Sequence, residues 1–276
     1  MKSRFLRPVF LIAAAWLCSS AIAAERSDPY IWMEDIDGER AIAWAKAENE
    51  RSLKVLEGDP QFAGLHADAL AIANAKDRIP AVAFAGNDEL RDFWQDADHV
   101  RGIWRRTTLE SYRTETPSWE LLLDLDALAQ SENANWVWSG VDCLPPENRL
   151  CLVSLSDAGK DAVTVREFDT RAQAFVDGGF SLPEGKHALA WLDADTILVA
   201  TEWETGQLTT SGYPYVVKSL KRGQSLTGAN ELFRGDAKDV GVEPFVLRDA
   251  DGAVQAIMVS RYLDFFRNEY YFIGVQ

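Results

Sequence analysis

From residue 79 onward the sequence is a succession of short apolar runs broken by turn-forming residues, with no long helical period among them. The runs fall at 81–85, 90–95, 102–108, 119–125, 136–141, 150–155 and 163–168, then at 188–192, 196–201, 213–220, 243–247, 253–260 and 269–273. Between them lie Gly86-Asn87-Asp88, Ser156-Asp157-Ala158-Gly159, Asp193-Ala194-Asp195 and Asp249-Ala250-Asp251-Gly252, residue types that suit tight turns. Such a chain is confined to mainly β architectures: a sandwich, a jelly roll or a radial array of small sheets. A loose internal repeat favours the radial array. The stretches 121–126, 165–169 and 216–220 each read as the end of a group of strands, at a spacing of about 45–50 residues, which suits four-stranded propeller blades. Residues 78–276 are therefore expected to form an incomplete β-propeller of about three to four blades.

Residues 24–77 read differently. After a short extended start, Ala41, Trp44, Ala45, Glu48, Ser52, Val55 and Leu56 recur at helical spacing behind Asp37, a candidate N-cap. Asp59-Pro60 then opens a second helix with the cap and first-turn proline in the favoured order, and Phe62, Leu65, Ala69, Ile72 and Ala73 line one face of it. Two amphipathic helices need a surface to lie on.

The first residues carry Lys2, Arg4 and Arg7, then an apolar run at 9–17, then Ala21-Ile22-Ala23. This is the three-part layout of a secretory signal peptide over residues 1–23, cleaved after Ala23. The uncharged stretch 8–24 falls short of the roughly 20 residues of a spanning helix, so no stable membrane anchor is expected after cleavage. Leu17 is too large for the residue preceding a lipid-modified cysteine, which argues against a lipid anchor on Cys18. The expected location is periplasmic or secreted. The net charge of −15 would become about −18 once the three leader cations are removed, a balance that repels nucleic acid and anionic lipid.

Beyond the leader only Cys143 and Cys151 remain, flanking a turn-like insert between two apolar runs. They are either two buried thiols or a small-loop disulfide, and an oxidising compartment favours the disulfide. Loop-closure entropy gives such a bridge about 2–3 kcal/mol. No Cys or His pair stands at zinc-ligand spacing, and no phosphate-cradling glycine loop is present, so neither metal nor cofactor is expected. Leu247 occupies a position where a calcium loop around Asp249 and Asp251 would need a ligand, so that stretch reads as a hairpin turn.

Asp28, Pro29, Tyr30, Trp32, Glu34 and Asp35 form an opening motif, followed on the first helix by Trp44 and Asn49. This pattern resembles the start of the mature chain in the prolyl oligopeptidase family of serine peptidases. The stretches 102–108, 135–138, 152–156 and 240–244 also resemble exported bacterial members, so the resemblance covers the chain beyond its leader. It implies a seven-bladed propeller followed by an α/β-hydrolase domain that carries a Ser-Asp-His triad. It also implies that the opening segment belongs structurally with the hydrolase domain. The propeller would then admit short peptides, which the hydrolase domain cleaves after proline or a related residue.

The catalytic signature is missing from residues 1–276. No Gly-x-Ser-x-Gly elbow is present, and Ser139-Gly140, Ser211-Gly212 and Gly223-Gln224-Ser225 lack the flanking glycines. His66, His99 and His187 do not follow a serine elbow and a late Asp in hydrolase order. The chain is thus expected to carry no catalytic residue and to be inactive alone, supplying docking helices and part of a gate. It would need the hydrolase domain or a complementing chain, with short peptides as partners only in that context. A truncated gene, a frameshift or an incomplete sequence would explain the shortfall. The alternative is a non-catalytic periplasmic propeller-like module that binds a peptide or protein.

Overall fold

The computed structural model describes residues 28–35 and 37–275. The expected signal peptide, residues 1–23, lies outside the described residues. Two compact units divide the chain between Ala69 and Leu70.

A 3-10 turn at Ile31–Met33 leads to helix α1 (Glu39–Leu56), and helix α2 (Phe62–Ala73) follows. Gly38, not Asp37, caps α1, and no side chain bonds the free amides there. The reason is local. Gly38 donates its N–H to the Asp35 carbonyl at 3.1 Å, and a Cβ at Gly38 would lie 2.8 Å from Asp35 Cγ. The Asp35 side chain thus fills the space beside the cap that a side chain at residue 38 would take. Asp59 does hold the start of α2: its Oδ1 accepts the Gln61 N–H at 2.8 Å and its carbonyl accepts the Phe62 N–H at 3.0 Å. Pro60 sits in the turn before the helix rather than in its first position.

The second unit is an array of antiparallel sheets whose strands follow chain order. The first holds β1 (Ala83–Phe84), β2 (Glu89–Trp94), β3 (Ile103–Thr108) and β4 (Glu120–Asp124). The second holds β5 (Trp136–Cys143), β6 (Leu150–Asp157), β7 (Val163–Asp169) and β8 (Ala174–Phe175), with β9 (Ser181–Gly185) also on β7. The third holds β10 (Ala188–Asp193), β11 (Thr196–Ala200), β12 (Val216–Lys221) and β13 (Asn230–Arg234). The fourth holds β14 (Gly241–Arg248), β15 (Val254–Tyr262) and β16 (Asn268–Gly274). Two short helices, α3 (Leu109–Tyr112) and α4 (Leu125–Glu132), follow β3 and β4. Asp124 caps α4 by accepting the Ala127 N–H at 2.9 Å, and Asn133 ends it in the left-handed region at φ 50°.

The sheets stack face to face in sequence, and their first strands adjoin, β5 against β10 and β10 against β14. Apolar alternation explains why. On β6, Cys151, Val153 and Leu155 join Trp104, Leu122 and Leu125 in a core shared with the first sheet. Leu152, on the other face, packs with Trp191, Ile197 and Val199 of the third sheet. On β11, Leu198 and Ala200 turn instead toward Val242 and Val259 of the fourth. Each central strand is buried on both faces, so it reads as a continuous apolar run rather than an alternating one. This is a partial β-propeller rather than a two-sheet sandwich. The groups of strands are longer than the repeat suggests. Residues 165–169 and 216–220 lie in the third strands of their sheets, and β8, β9 and β13 come after them. Those outer strands are short or polar, as in Asn230-Glu231 of β13, and carry little apolar signal.

Candidate functional site

The opening motif folds on itself. Asp28 Oδ1 accepts the Tyr30 N–H at 2.8 Å, and the Trp32 indole N–H reaches the Pro29 carbonyl at 3.0 Å. Trp32 meets Trp44 edge to face at a centroid distance of 6.4 Å, and the Arg40 guanidinium lies 3.9 Å over its ring. Glu34 closes the 3-10 turn through its N–H on Ile31, and the Asp35 carbonyl starts the turn into α1. Tyr30 and Ile31 remain exposed, as does nearly half of Trp44 (48 %). The motif therefore positions an apolar, aromatic surface rather than a reactive group.

In the sheet unit the ends of the first strands converge on the loop 144–150. Cys143 and Cys151 face each other across β5 and β6 and form a disulfide that closes this loop. The loop reaches two other sheets. A Cβ at Gly86, in the turn after β1, would meet the Pro146 carbonyl at 2.9 Å, and one at Gly252, in the turn after β14, would meet Pro146 Cδ at 2.7 Å. Both glycines have positive φ, at 80° and 84°, so geometry and space demand glycine together. Asn148 adds a hydrogen bond from Nδ2 to the Ala85 carbonyl at 2.9 Å.

Arg91 of β2 is buried against this loop. Its Nη2 donates to the Asn148 carbonyl at 2.7 Å, its Nε to Glu89 at 2.6 Å, and its Nη1 lies 3.2 Å from Cys143 Sγ and 3.4 Å from Cys151 Sγ. Burial lowers its affinity for the proton below the ordinary arginine range, opposed by the Glu89 carboxylate. Beside it a cavity of about 290 Å³ is walled by Phe93, Trp104, Trp138, Asp92 and Cys143.

Further along the inner strands, Trp191 donates its indole N–H to the Asp142 carbonyl at 3.0 Å, and Arg248 Nη2 donates to the Trp191 and Leu192 carbonyls at 2.9 and 2.8 Å. Burial pushes the Asp142 carboxyl up to about 6, partly offset by the Arg248 charge. Asp142 keeps more than a third of its surface open to solvent although protein atoms crowd it on the other sides, so the upward direction stands while water limits its size. A part-buried ion pair, with the carboxylate fully enclosed, joins the second and third sheets: Glu167 of β7 accepts two bonds from Arg222 at 2.8 and 2.9 Å and one from the Phe180 N–H at 2.8 Å.

The three histidines lie where their sequence positions place them, on α2, in a loop and before β10. His66 stacks on Phe62, His99 bonds Asp96, and His187 bridges the Pro183 carbonyl and the Thr201 hydroxyl, both at 2.9 Å. Burial lowers the His187 pKa, which favours a neutral ring donating from Nε2 and accepting at Nδ1. Among the described residues none of these rings is hydrogen-bonded to a serine, and no group of three or more His, Cys, Asp or Glu side chains could hold a metal. No described helix is long and apolar enough to cross a membrane. Arg91, Asp142 and Arg248 were not legible as a site, although a charged pair inside the apolar run Leu90-Arg91-Asp92-Phe93 is the kind of break that marks a buried ion.

A sequence model of the family described as "Prolyl oligopeptidase, N-terminal beta-propeller domain" matches residues 19–276. The chain is 50 % identical over 245 residues to the uncharacterized peptidase y4nA of Sinorhizobium fredii, covering 89 % of this chain and 34 % of that protein. It is 28 % identical over 254 residues to the uncharacterized peptidase RP174 of Rickettsia prowazekii, covering 89 % and 35 %. Among solved structures, a post-proline cleaving enzyme from Rickettsia typhi matches with a TM-score of 0.80 at 27 % identity, covering 88 % of this chain and 36 % of that one. The chain thus spans about a third of the length of these relatives.

Proposed function

The chain belongs to the prolyl oligopeptidase family, as its N-terminal β-propeller domain, and from that premise we propose that it is the substrate-gating part of an exported peptidase that cleaves short peptides after proline. The observation that carries this reading is the match of 88 % of this chain to a post-proline cleaving enzyme from Rickettsia typhi. In this reading the sheets form part of the wall around a catalytic centre and admit short, unfolded peptides by size. The exposed aromatic surface of the opening motif and α1 docks on a hydrolase domain, supplied in the same protein or by a complementing chain. Export rests on the cationic, apolar and small-residue order of the first 23 residues.

Residues 1–276 alone carry no turnover in this account. Support comes from the missing Gly-x-Ser-x-Gly elbow and from histidines whose bonds are structural. The test is an assay of the purified 276-residue chain with a proline-containing chromogenic peptide. No release of chromophore is expected, whereas release blocked by a serine-directed inhibitor would overturn the inactivity.

A further inference from the structure

The Cys143–Cys151 bridge has two unequal ends. Cys151 is fully buried, whereas Cys143 is part-buried and lines the cavity of about 290 Å³ beside Arg91. Cys143 lines that cavity and Cys151 does not, so a thiolate entering it approaches the Cys143 end of the bridge. Attack at Cys143 expels Cys151 as a thiolate into the interior, a costly place for an unpaired charge. Here the Arg91 Nη1 already stands 3.4 Å from that sulfur. A guanidinium in contact lowers the pKa of a thiol and makes it a better leaving group. The acid of the cavity wall, Asp92, is held by Arg105 at 2.7 and 3.0 Å, and outside the wall Glu89 is shared between Arg91 and Arg106, which also pairs with Glu120. Arg91 and Asp92 are the charged side chains of the cavity wall, and with Asp92 engaged by Arg105 the Arg91 guanidinium is the charge that stands at the two sulfurs. Its volume lies at the low end of small-molecule sites.

We propose that Cys143 is a site of thiol–disulfide exchange with a small thiol, and that Arg91 carries the charge of the Cys151 thiolate that leaves. In the first step the incoming thiolate bonds to Cys143 Sγ, the Cys143–Cys151 bond breaks, and its electron pair stays on Cys151. In the second step another thiolate attacks the bound thiol's sulfur, releasing Cys143 as a thiolate and a low-molecular-weight disulfide. Two thiols are oxidised and one bridge is reduced. The exchange frees the loop 144–150, which touches the Gly86 and Gly252 turns, so the redox state of the bridge acts on the contacts between three sheets.

The test equilibrates the 276-residue chain with glutathione at graded ratios of thiol to disulfide, quenches with acid, alkylates and maps both cysteines by mass spectrometry. Glutathione is expected on Cys143, with Cys151 as the free thiol. Arg91→Met should require a roughly tenfold more reducing ratio for half-opening, and Arg91→Lys, which keeps the charge, should recover most of the difference. Near-ultraviolet circular dichroism checks that each variant is folded. If Arg91→Met fails to fold, the map on the unmodified protein decides alone. Glutathione on Cys151, no adduct on either cysteine, or a folded Arg91→Met with an unchanged midpoint would each overturn the proposal.

Discussion

The helices α1 and α2 and the strands β6 and β11 use apolar residues in opposite ways. Neither helix buries a single side chain, and Val55, Leu56, Leu65 and Ile72 are each more than half exposed. In β6 and β11, by contrast, Leu152, Val153, Ile197, Leu198 and Val199 are almost wholly enclosed, each face against a different sheet. The lesson concerns where stability resides. The sheets carry their own core, while the helices carry an apolar face whose burial needs something besides α1 and α2 themselves. The motif that reveals the family therefore sits in the part of the molecule that stabilises itself least.

The sharpest way to break this contrast is to compare tryptophans. Trp191 is 3 % exposed and fills the core between the second and third sheets, so Trp191→Ala should cost about 3–5 kcal/mol in urea unfolding. Glu167→Ala removes the carboxylate that holds Arg222 and the Phe180 N–H, and should cost about 3 kcal/mol by the same measurement. A loss below 1 kcal/mol in both would mean that the sheets do not hold together as described.

Asp142 gives a smaller effect with a definite sign. Its folded pKa is raised, so its contribution to stability is full below the ordinary carboxylate range and is lost as pH rises through about 6. Asp142→Asn should therefore match the parent protein near pH 4 and be the more stable of the two at pH 8. Urea midpoints at the two pH values check this, and a gain at pH 4 alone would reverse the assignment. The smallest effect belongs to Trp44→Ala, which loses one edge-to-face contact and should cost under about 1.5 kcal/mol in the same chain. A loss as large as that of Trp191→Ala would erase the contrast between the two regions.

The sequence made the inner strands plain because burial on both faces leaves continuous apolar runs such as 150–155 and 196–200. It hid β8, β9 and β13, whose exposed outer positions impose no such pattern. The disulfide was legible because two cysteines flank one turn in neighbouring strands. The Arg91 contacts were not, since Cys143, Asn148 and Cys151 lie more than 50 positions away and meet Arg91 only when the first two sheets stack. Gly38 was missed as a cap because the space it leaves is filled by the side chain of Asp35, a contact that cap preference alone does not contain.

Hydrogen exchange across the 276-residue chain tests the central contrast most directly. The amides of β6 and β11 should exchange only through global unfolding, while those of α1 should exchange orders of magnitude faster in the absence of any partner. Equal protection of α1 and β11 in the isolated chain would contradict the account.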